Sequence, residues 1–172
     1  MARAGEIDID QAIVIALGSN LAGEFASSEA VIEAALARLS SIGTEPVRVS
    51  RLWRSAAWPD PSDPPFVNAV ALSRSALGPR SLLAALLGLE ASFGRRREKA
   101  NAPRPLDLDL VGYGRLTLDV PGLTLPHPRA AERAFVMGPL AEIAPAWRHP
   151  ATGEAAAALA ARARVGRDAR PI

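Results

Sequence analysis

Two aspartates alternate with three leucines in Leu106-Asp107-Leu108-Asp109-Leu110. On an extended strand successive side chains face opposite ways, so the leucines share one face and both carboxylates the other, with Cβ atoms roughly 6–7 Å apart. Such a pair can hold one or two Mg²⁺ ions, hard cations that prefer carboxylate and phosphate oxygens. The plainer alternative is a half-exposed strand with solvated acids, because alternation is the ordinary strand pattern. The neighbouring residues favour the metal. Arg95, Arg96, Arg97 and Arg104 lie within twelve residues upstream of Asp107. Carboxylates for the metal and guanidiniums for phosphate oxygens are together what a metal–triphosphate needs. Arg96 reads as a solvated charge. Arg95 and Arg97 can share one side of an extended segment, and Arg104 follows a stiff Ala-Pro step.

Other candidates are scattered through the chain. His127 stands between Pro126 and Pro128, which restrict the backbone on both sides; its imidazole can donate to a phosphate, or can simply be exposed. Arg133, just downstream, joins that cluster or faces solvent. Asn68 lies between Phe66 and Val70 on one strand face, so its amide needs a partner, either backbone or the edge of a heterocycle. Glu90 sits at the margin of an apolar helical stripe, where it can bridge to Arg97 or serve a ligand. His149, in Trp-Arg-His-Pro, has no comparable setting.

The elements that must position these groups follow from periodicity. A buried strand is expected from Ile13 to Leu17, entering a turn at Gly18-Ser19-Asn20. A helix from about Ser28 to Ile42 follows, with Gly43 to stop it. A strand is expected over Val47–Trp53. The next eleven residues, from Ser55 to Pro65, hold four prolines and describe a semi-rigid loop. Phe66 to Leu72 reads as a strand. Pro79 opens a helix with Leu82, Leu86, Leu89 and Phe93 as its apolar stripe, closed by Gly94. A charged loop leads to the strand at Pro105–Leu110. The segment from Thr117 to Pro128 is extended and turn-rich, Glu132–Ile143 a short helix broken near Pro139, and the Ala/Arg-rich end one helix with a frayed tail. The order is β-α-β-β-α-β, an α+β ferredoxin-like antiparallel sheet with helices on one face and the other left for ligands.

Composition bounds the function. The 172 residues fit one domain with its own core, covering 1–172 with residues 153–172 as a tail. Zero cysteines exclude disulfides and thiolate chemistry, and no apolar run reaches a membrane span, so a cytoplasmic protein without a membrane partner is expected. From Ala161 onward four arginines face one acid, a net +3; the whole chain carries +2, which leaves −1 for residues 1–160. The body is therefore not the basic surface a nucleic acid would need. The one lysine, Lys99, is not in a GxxxxGK[ST] loop, so arginine and metal must handle any phosphate.

Together these segments resemble the 6-hydroxymethyl-7,8-dihydropterin pyrophosphokinase family. The matches are Ile15-Ala-Leu-Gly-Ser-Asn20, Phe66-Val-Asn-Ala-Val70, Glu90 with Gly94-Arg-Arg-Arg97, and Ala102-Pro-Arg-Pro-Leu-Asp-Leu-Asp-Leu110. Leu123-Thr-Leu-Pro-His-Pro128, Arg133-Ala-Phe135 and Pro139-Leu-Ala-Glu-Ile-Ala-Pro145 follow in family order. The resemblance runs from about Ile13 to Trp147. It implies that Asp107 and Asp109 hold two Mg²⁺ ions on the triphosphate of ATP, the co-substrate. It also implies that Arg95, Arg97, Arg104, His127 and Arg133 meet phosphates, Arg95 and Arg104 as catalytic groups with the two aspartates. Leu110 and Thr124 would lie near the nucleotide, and Glu90 near its arginines. Phe66 and Phe135 would sandwich the pterin, Asn68 would read its edge, and Ser55 and Ala56 would line its pocket through their backbone.

The chain departs from the family pattern at Ala100-Asn101-Ala102, where Arg-Trp-Gly is frequent, at Gly122, often arginine, and at Pro128, often tyrosine. The activity implied is diphosphate transfer from ATP to the pterin hydroxymethyl group, in folate synthesis, by a monomer acting on small molecules alone. Two rivals are a nucleic-acid-binding ferredoxin-like module and an inactive homologue acting as a scaffold.

Overall fold

The computed structural model describes residues 6–94 and 103–172. Its elements are β1 (Ile13–Ser19), α1 (Ser28–Arg38), β2 (Thr44–Val49), β3 (Trp53–Ser55), β4 (Phe66–Ser75) and α2 (Pro79–Ser92). Then come β5 (Asp107–Tyr113), β6 (Leu118–Val120), β7 (Leu123–Leu125), α3 (Ala134–Ile143), α4 (Ala156–Arg162) and β8 (Arg170–Pro171). The main sheet runs β5-β1-β4-β3-β8, with β2 also on β4. Every pairing is antiparallel. This is the expected ferredoxin-like arrangement.

The strand expected over Val47–Trp53 is two short strands along one edge of β4. β2 pairs with Ala71–Ser75 and β3 with Phe66–Asn68. The join is bridged by Ser50, whose N–H donates to the Val70 carbonyl at 2.9 Å while its Oγ accepts the Val70 N–H at 3.0 Å. A side chain thus replaces one backbone acceptor, and the ladder survives the break.

Alternation sorts the sheet into two cores. Ile13, Ile15 and Leu17 of β1, with Leu108 and Leu110 of β5, pack against Val31 and Ile32 of α1, Leu82 and Leu86 of α2, and the residues that end these helices, Leu39 and Phe93. On the opposite face Val14, Val70, Leu72 and Val111 pack against Val136, Met137, Leu140, Trp147 and Leu159. The face expected to be left for ligands is therefore covered over part of its extent by α3 and α4, and open beside the C-terminal half of β1.

Two expectations are corrected here. Pro139 does not break α3, which runs through it to Ile143. An interior proline costs a helix about 3 kcal/mol, whereas Val136, Met137, Pro139 and Leu140 are all buried, at about 1.5–3 kcal/mol for each large side chain. Burial wins. Nor is the end of the chain one helix with a frayed tail. Helix α4 stops at Arg162, and the chain then turns at Gly166 (φ +71°) and adds β8 to the sheet edge beside β3. Among the described residues no helix is long and apolar enough to cross a membrane.

Candidate active site

The register of the sheet brings the candidates together. Gly18 pairs with Asn68 on one side and Asp107 on the other, and Ala16 likewise with Val70 and Asp109. Asn68, Gly18 and Asp107 thus form a row across three strands, roughly 10 Å from end to end at the usual strand spacing. The middle member has no side chain. A Cβ on Gly18 would stand 3.5 Å from Asn68 Oδ1 and 3.6 Å from the Phe66 ring, so glycine keeps this floor flat. Over it lies a cavity of about 230 Å³, bounded by β3, the following loop, β4, β5 and the start of α3.

One end of the cavity is aromatic and neutral. Phe66 and Phe135 both line it, with Ser55, Ala56 and Trp58 beside them. Asn68 is buried, and its Nδ2 donates to Ser55 Oγ at 3.0 Å, leaving Oδ1 turned toward Gly18. The Ala56 N–H donates to Asp168 Oδ2 at 2.6 Å.

The other end is charged. Asp107 and Asp109 are half-buried while Leu106, Leu108 and Leu110 are buried, the split that alternation predicts. Arg133 Nη1 lies 3.6 Å from Asp109 Oδ2, and His127 Nε2 lies 4.0 Å from Asp109 Oδ1. A bulge explains how His127 gets there. Ile15 pairs with Leu110 and Val14 with Gly112, so Val111 is the extra residue of β5. Its carbonyl accepts the His127 N–H at 2.8 Å, fastening the histidine to the strand that carries the aspartates.

His127 Nδ1 accepts the Arg129 N–H at 3.2 Å, which leaves the ring proton on Nε2, toward Asp109. Burial first, and Arg133 second, hold its pKa below 6.5, while Asp107 pulls the other way. A neutral donor at Nε2 is the result.

Arg104 completes this end. Its guanidinium lies over the Phe66 ring, 5.6 Å from the centroid, and its buried Nε has no hydrogen-bond partner among the described residues. A buried guanidinium nitrogen without an acceptor is costly, and an entering phosphate oxygen would supply one. Arg133 lies in the same way over Phe135, at 5.8 Å. Among the described residues no three His, Asp or Glu side chains form a metal cluster. Two carboxylates alone fit a Mg²⁺ whose other ligands are phosphate oxygens and water.

Not every expected residue reaches the cavity. Leu110 is buried in the helix-side core, and Thr124 is exposed on β7 with its hydroxyl on Asp119 Oδ1 at 3.2 Å. Glu90 is 3% exposed, and its Oε1 accepts the Leu108 N–H at 2.7 Å, between the two aspartates. Arg95 and Arg97, with the Ala100-Asn101-Ala102 departure, lie outside the described residues. Gly122, at φ +82° in the β6–β7 turn, adopts a backbone that a non-glycine residue there would strain.

Sequence reasoning missed Ala16, Gly18, Trp58, Val136 and Asp168. It also missed Asn20, whose Oδ1 accepts the Arg104 N–H at 2.9 Å while its Nδ2 donates to the Pro64 carbonyl at 3.1 Å. The Gly-Ser-Asn turn was a signal for Gly18 and Asn20. Nothing local marks the others, which depend on tertiary pairing.

Residues 14–145 match the family model described as 7,8-dihydro-6-hydroxymethylpterin-pyrophosphokinase. The chain belongs to this pyrophosphokinase family. A 2-amino-4-hydroxy-6-hydroxymethyldihydropteridine pyrophosphokinase of Synechocystis sp. is 40% identical over 142 residues, covering 82% of this chain and 70% of the relative. The pyrophosphokinase of the same name from Pseudomonas aeruginosa is 41% identical over 140 residues, covering 81% and 85%. The fold of the Plasmodium falciparum HPPK-DHPS crystal structure with pteroate is also similar, with a TM-score of 0.68 at 11% identity. There the match covers 87% of this chain and 44% of the solved one, so this chain spans less than half of that protein. The family match and the names of these relatives give the two rival readings no support. A base-stacking sheet would need its second face open, and here α3 and α4 cover part of that face while the open part carries two aspartates among its cationic and aromatic residues.

Proposed function

We propose that this chain transfers the diphosphate of ATP to the hydroxymethyl group of 6-hydroxymethyl-7,8-dihydropterin, releasing AMP, as a step of folate synthesis. One observation carries this reading: a single cavity joins an aromatic, amide-edged end to an end of two aspartates and three cationic or donor side chains across the Asn68–Gly18–Asp107 row. A flat heterocycle fits the first end and a polyphosphate the second.

The pterin ring lies between Phe66 and Phe135, with Asn68 and the Ser55–Ala56 backbone on its edge. Its hydroxymethyl oxygen then points along the floor toward Asp107 and Asp109. Two Mg²⁺ ions held by these carboxylates would neutralise the triphosphate and so make its β-phosphorus easier to attack. The remaining work is positioning and charge neutralisation, as is usual for phosphoryl-type transfer. Arg104 and Arg133 take phosphate oxygens, and His127 donates from Nε2; with its proton there, it acts as a donor and not as the base. Arg95 and Arg97 are proposed to take phosphate oxygens as well. Glu90 acts there through β5, by holding the Leu108 N–H, and Leu110 and Thr124 flank the nucleotide, Leu110 through its backbone. The acting unit is proposed to be a monomer, since all these groups come from one chain.

Purified protein with ATP, Mg²⁺ and the pterin should form AMP and pterin diphosphate in equal amounts. ADP formed in step with a pterin monophosphate would refute the reading.

A further inference from the structure

The segment from Val165 to Ile172 is fastened to both walls of the aromatic end. On the α3 side, the Arg164 and Val165 N–H groups donate to the Glu132 carbonyl at 2.9 Å each, and the Ala134 N–H donates to the Val165 carbonyl at 2.8 Å. Gly166 lies flat on Phe135: a Cβ there would stand 2.4 Å from the ring, and the backbone is left-handed at φ +71°. On the β3 side, Arg170 and Pro171 pair with Arg54 and Trp53, and the Ile172 N–H donates to the Leu52 carbonyl at 3.0 Å. Between these two attachments the chain turns, with the Ala169 N–H on the Gly166 carbonyl at 2.9 Å. That turn presents Asp168, whose Oδ2 accepts the Ala56 N–H at 2.6 Å.

We propose that Asp168 is a positioning residue for pterin recognition: it fixes the Ser55–Ala56 backbone at the distance from Phe135 that a pterin ring requires. The proposal rests on the pterin reading of the cavity and adds a residue outside it. Ala56 follows directly on β3, at the start of a proline-rich loop and one residue past the last β3–β4 pair, Ser55 with Phe66. With the Ala56 N–H spent on Asp168, the other backbone groups of this stretch meet a flat ligand's edge usefully only if the peptide plane is held. A carboxylate is the strong acceptor for that task, and a charge-assisted bond of this length is among the firmer ones. The same turn seats Phe135 through Gly166, so one segment sets both sides of the slot.

The test uses the full chain with Asp168→Ala and Asp168→Asn. In Asp168→Ala the KM for the pterin should rise about five- to tenfold, the scale of one lost hydrogen bond. The KM for ATP and kcat should stay within about twofold. Asp168→Asn retains an acceptor oxygen and should restore most of the pterin KM. Independently of activity, the Ala56 amide should exchange with solvent faster in Asp168→Ala than in the parent protein, read by NMR. A uniform loss of kcat with both KM values unchanged would mark a merely structural residue and overturn the proposal, as would unaltered Ala56 exchange. A parent protein that neither binds nor turns over the pterin would refute the function itself, whatever the exchange result.

Discussion

The two ends of the cavity are built differently. At the aromatic end the polar groups already have partners: Asn68 holds Ser55, Asp168 holds Ala56, and Gly166 backs Phe135. At the charged end the contacts among the described residues are longer. Arg133 and His127 stand 3.6 and 4.0 Å from Asp109, beyond good hydrogen-bond length, and Arg104 Nε has no acceptor among the described residues. A planar ring of fixed shape rewards a site made in advance. A flexible polyanion arriving with its metal supplies the missing charge itself, and groups already locked together would have to be pulled apart first. Short hydrogen bonds at one end and longer charge contacts among the described residues at the other suit two kinds of ligand.

Substitution of the aspartates should break this contrast most severely. Asp107→Asn and Asp109→Asn should each lower turnover by roughly 10²-fold or more, the effect of losing one preorganised electrostatic contact of about 3 kcal/mol. The protein should fold normally, and pterin binding without nucleotide should barely change. The double variant should cost far less than the product of the singles, because both carboxylates serve one cluster. Near-normal turnover of both singles at saturating Mg²⁺ would sink the metal assignment.

Next in size is Arg104→Ala. It removes a buried Nε that has no acceptor among the described residues, so folding should not suffer while kcat/KM falls by roughly 30-fold. A stability loss matching the activity loss would instead make Arg104 a support for Phe66. Asn68→Ala probes the ordered end. The pterin KM should rise roughly tenfold with the ATP KM unmoved, and equal changes in both would erase the distinction between the two ends.

The smallest effect sharpens the comparison from beside the site. Trp53 Nε1 donates to Glu142 Oε2 at 2.9 Å and the Arg51 N–H to Oε1 at 2.8 Å, tying α3 to the β2–β3 edge. Burial pushes the Glu142 carboxyl upward, but the Arg51 N–H, the Trp53 indole and the Arg51 guanidinium outweigh it and hold the pKa below 4.5. A carboxyl depressed by folding stabilises above its unfolded pKa, and this contribution is lost as pH falls through the folded one. Glu142→Gln should therefore melt a little lower than the parent at pH 7, with the gap closing below pH 4.5. A gap that persists at pH 3 would mean that packing, not charge, ties these elements.

How much of this was legible in the sequence depends on how local each signal is. The Leu-Asp-Leu-Asp-Leu alternation gave β5, its buried leucines and its two carboxylates directly, because a period of two is a property of the strand itself. Pro79 and the leucine stripe gave α2 for the same reason. Phe66 and Asn68 could be placed on one face, but their row with Gly18 and Asp107 could not, since register belongs to the pairing of distant strands. Pro139 misled because a proline's cost is visible in a sequence while the burial that outweighs it is not. The last residues misled more thoroughly. Alanine and arginine favour helix, and nothing beside Asp168 announces that its partner is the amide of Ala56, 112 residues earlier.

The tryptophans sit in three settings. Trp147 is 2% exposed in the α3–α4 core, Trp53 is pressed against Gly138 with its indole N–H on Glu142, and Trp58 is 52% exposed on the rim of the cavity. Trp147 is sealed from events in the slot, Trp53 is half-buried opposite Asn68 on the neighbouring strand, and Trp58 stands at the mouth. Indole emission shifts with polarity and is quenched by a nearby flat chromophore, so occupancy should be readable optically without any label. Trp58→Phe would remove the signal from the mouth and leave that of Trp53 beside Asn68 over the steady background of Trp147, so that a ligand's arrival at the rim and at the floor can be told apart.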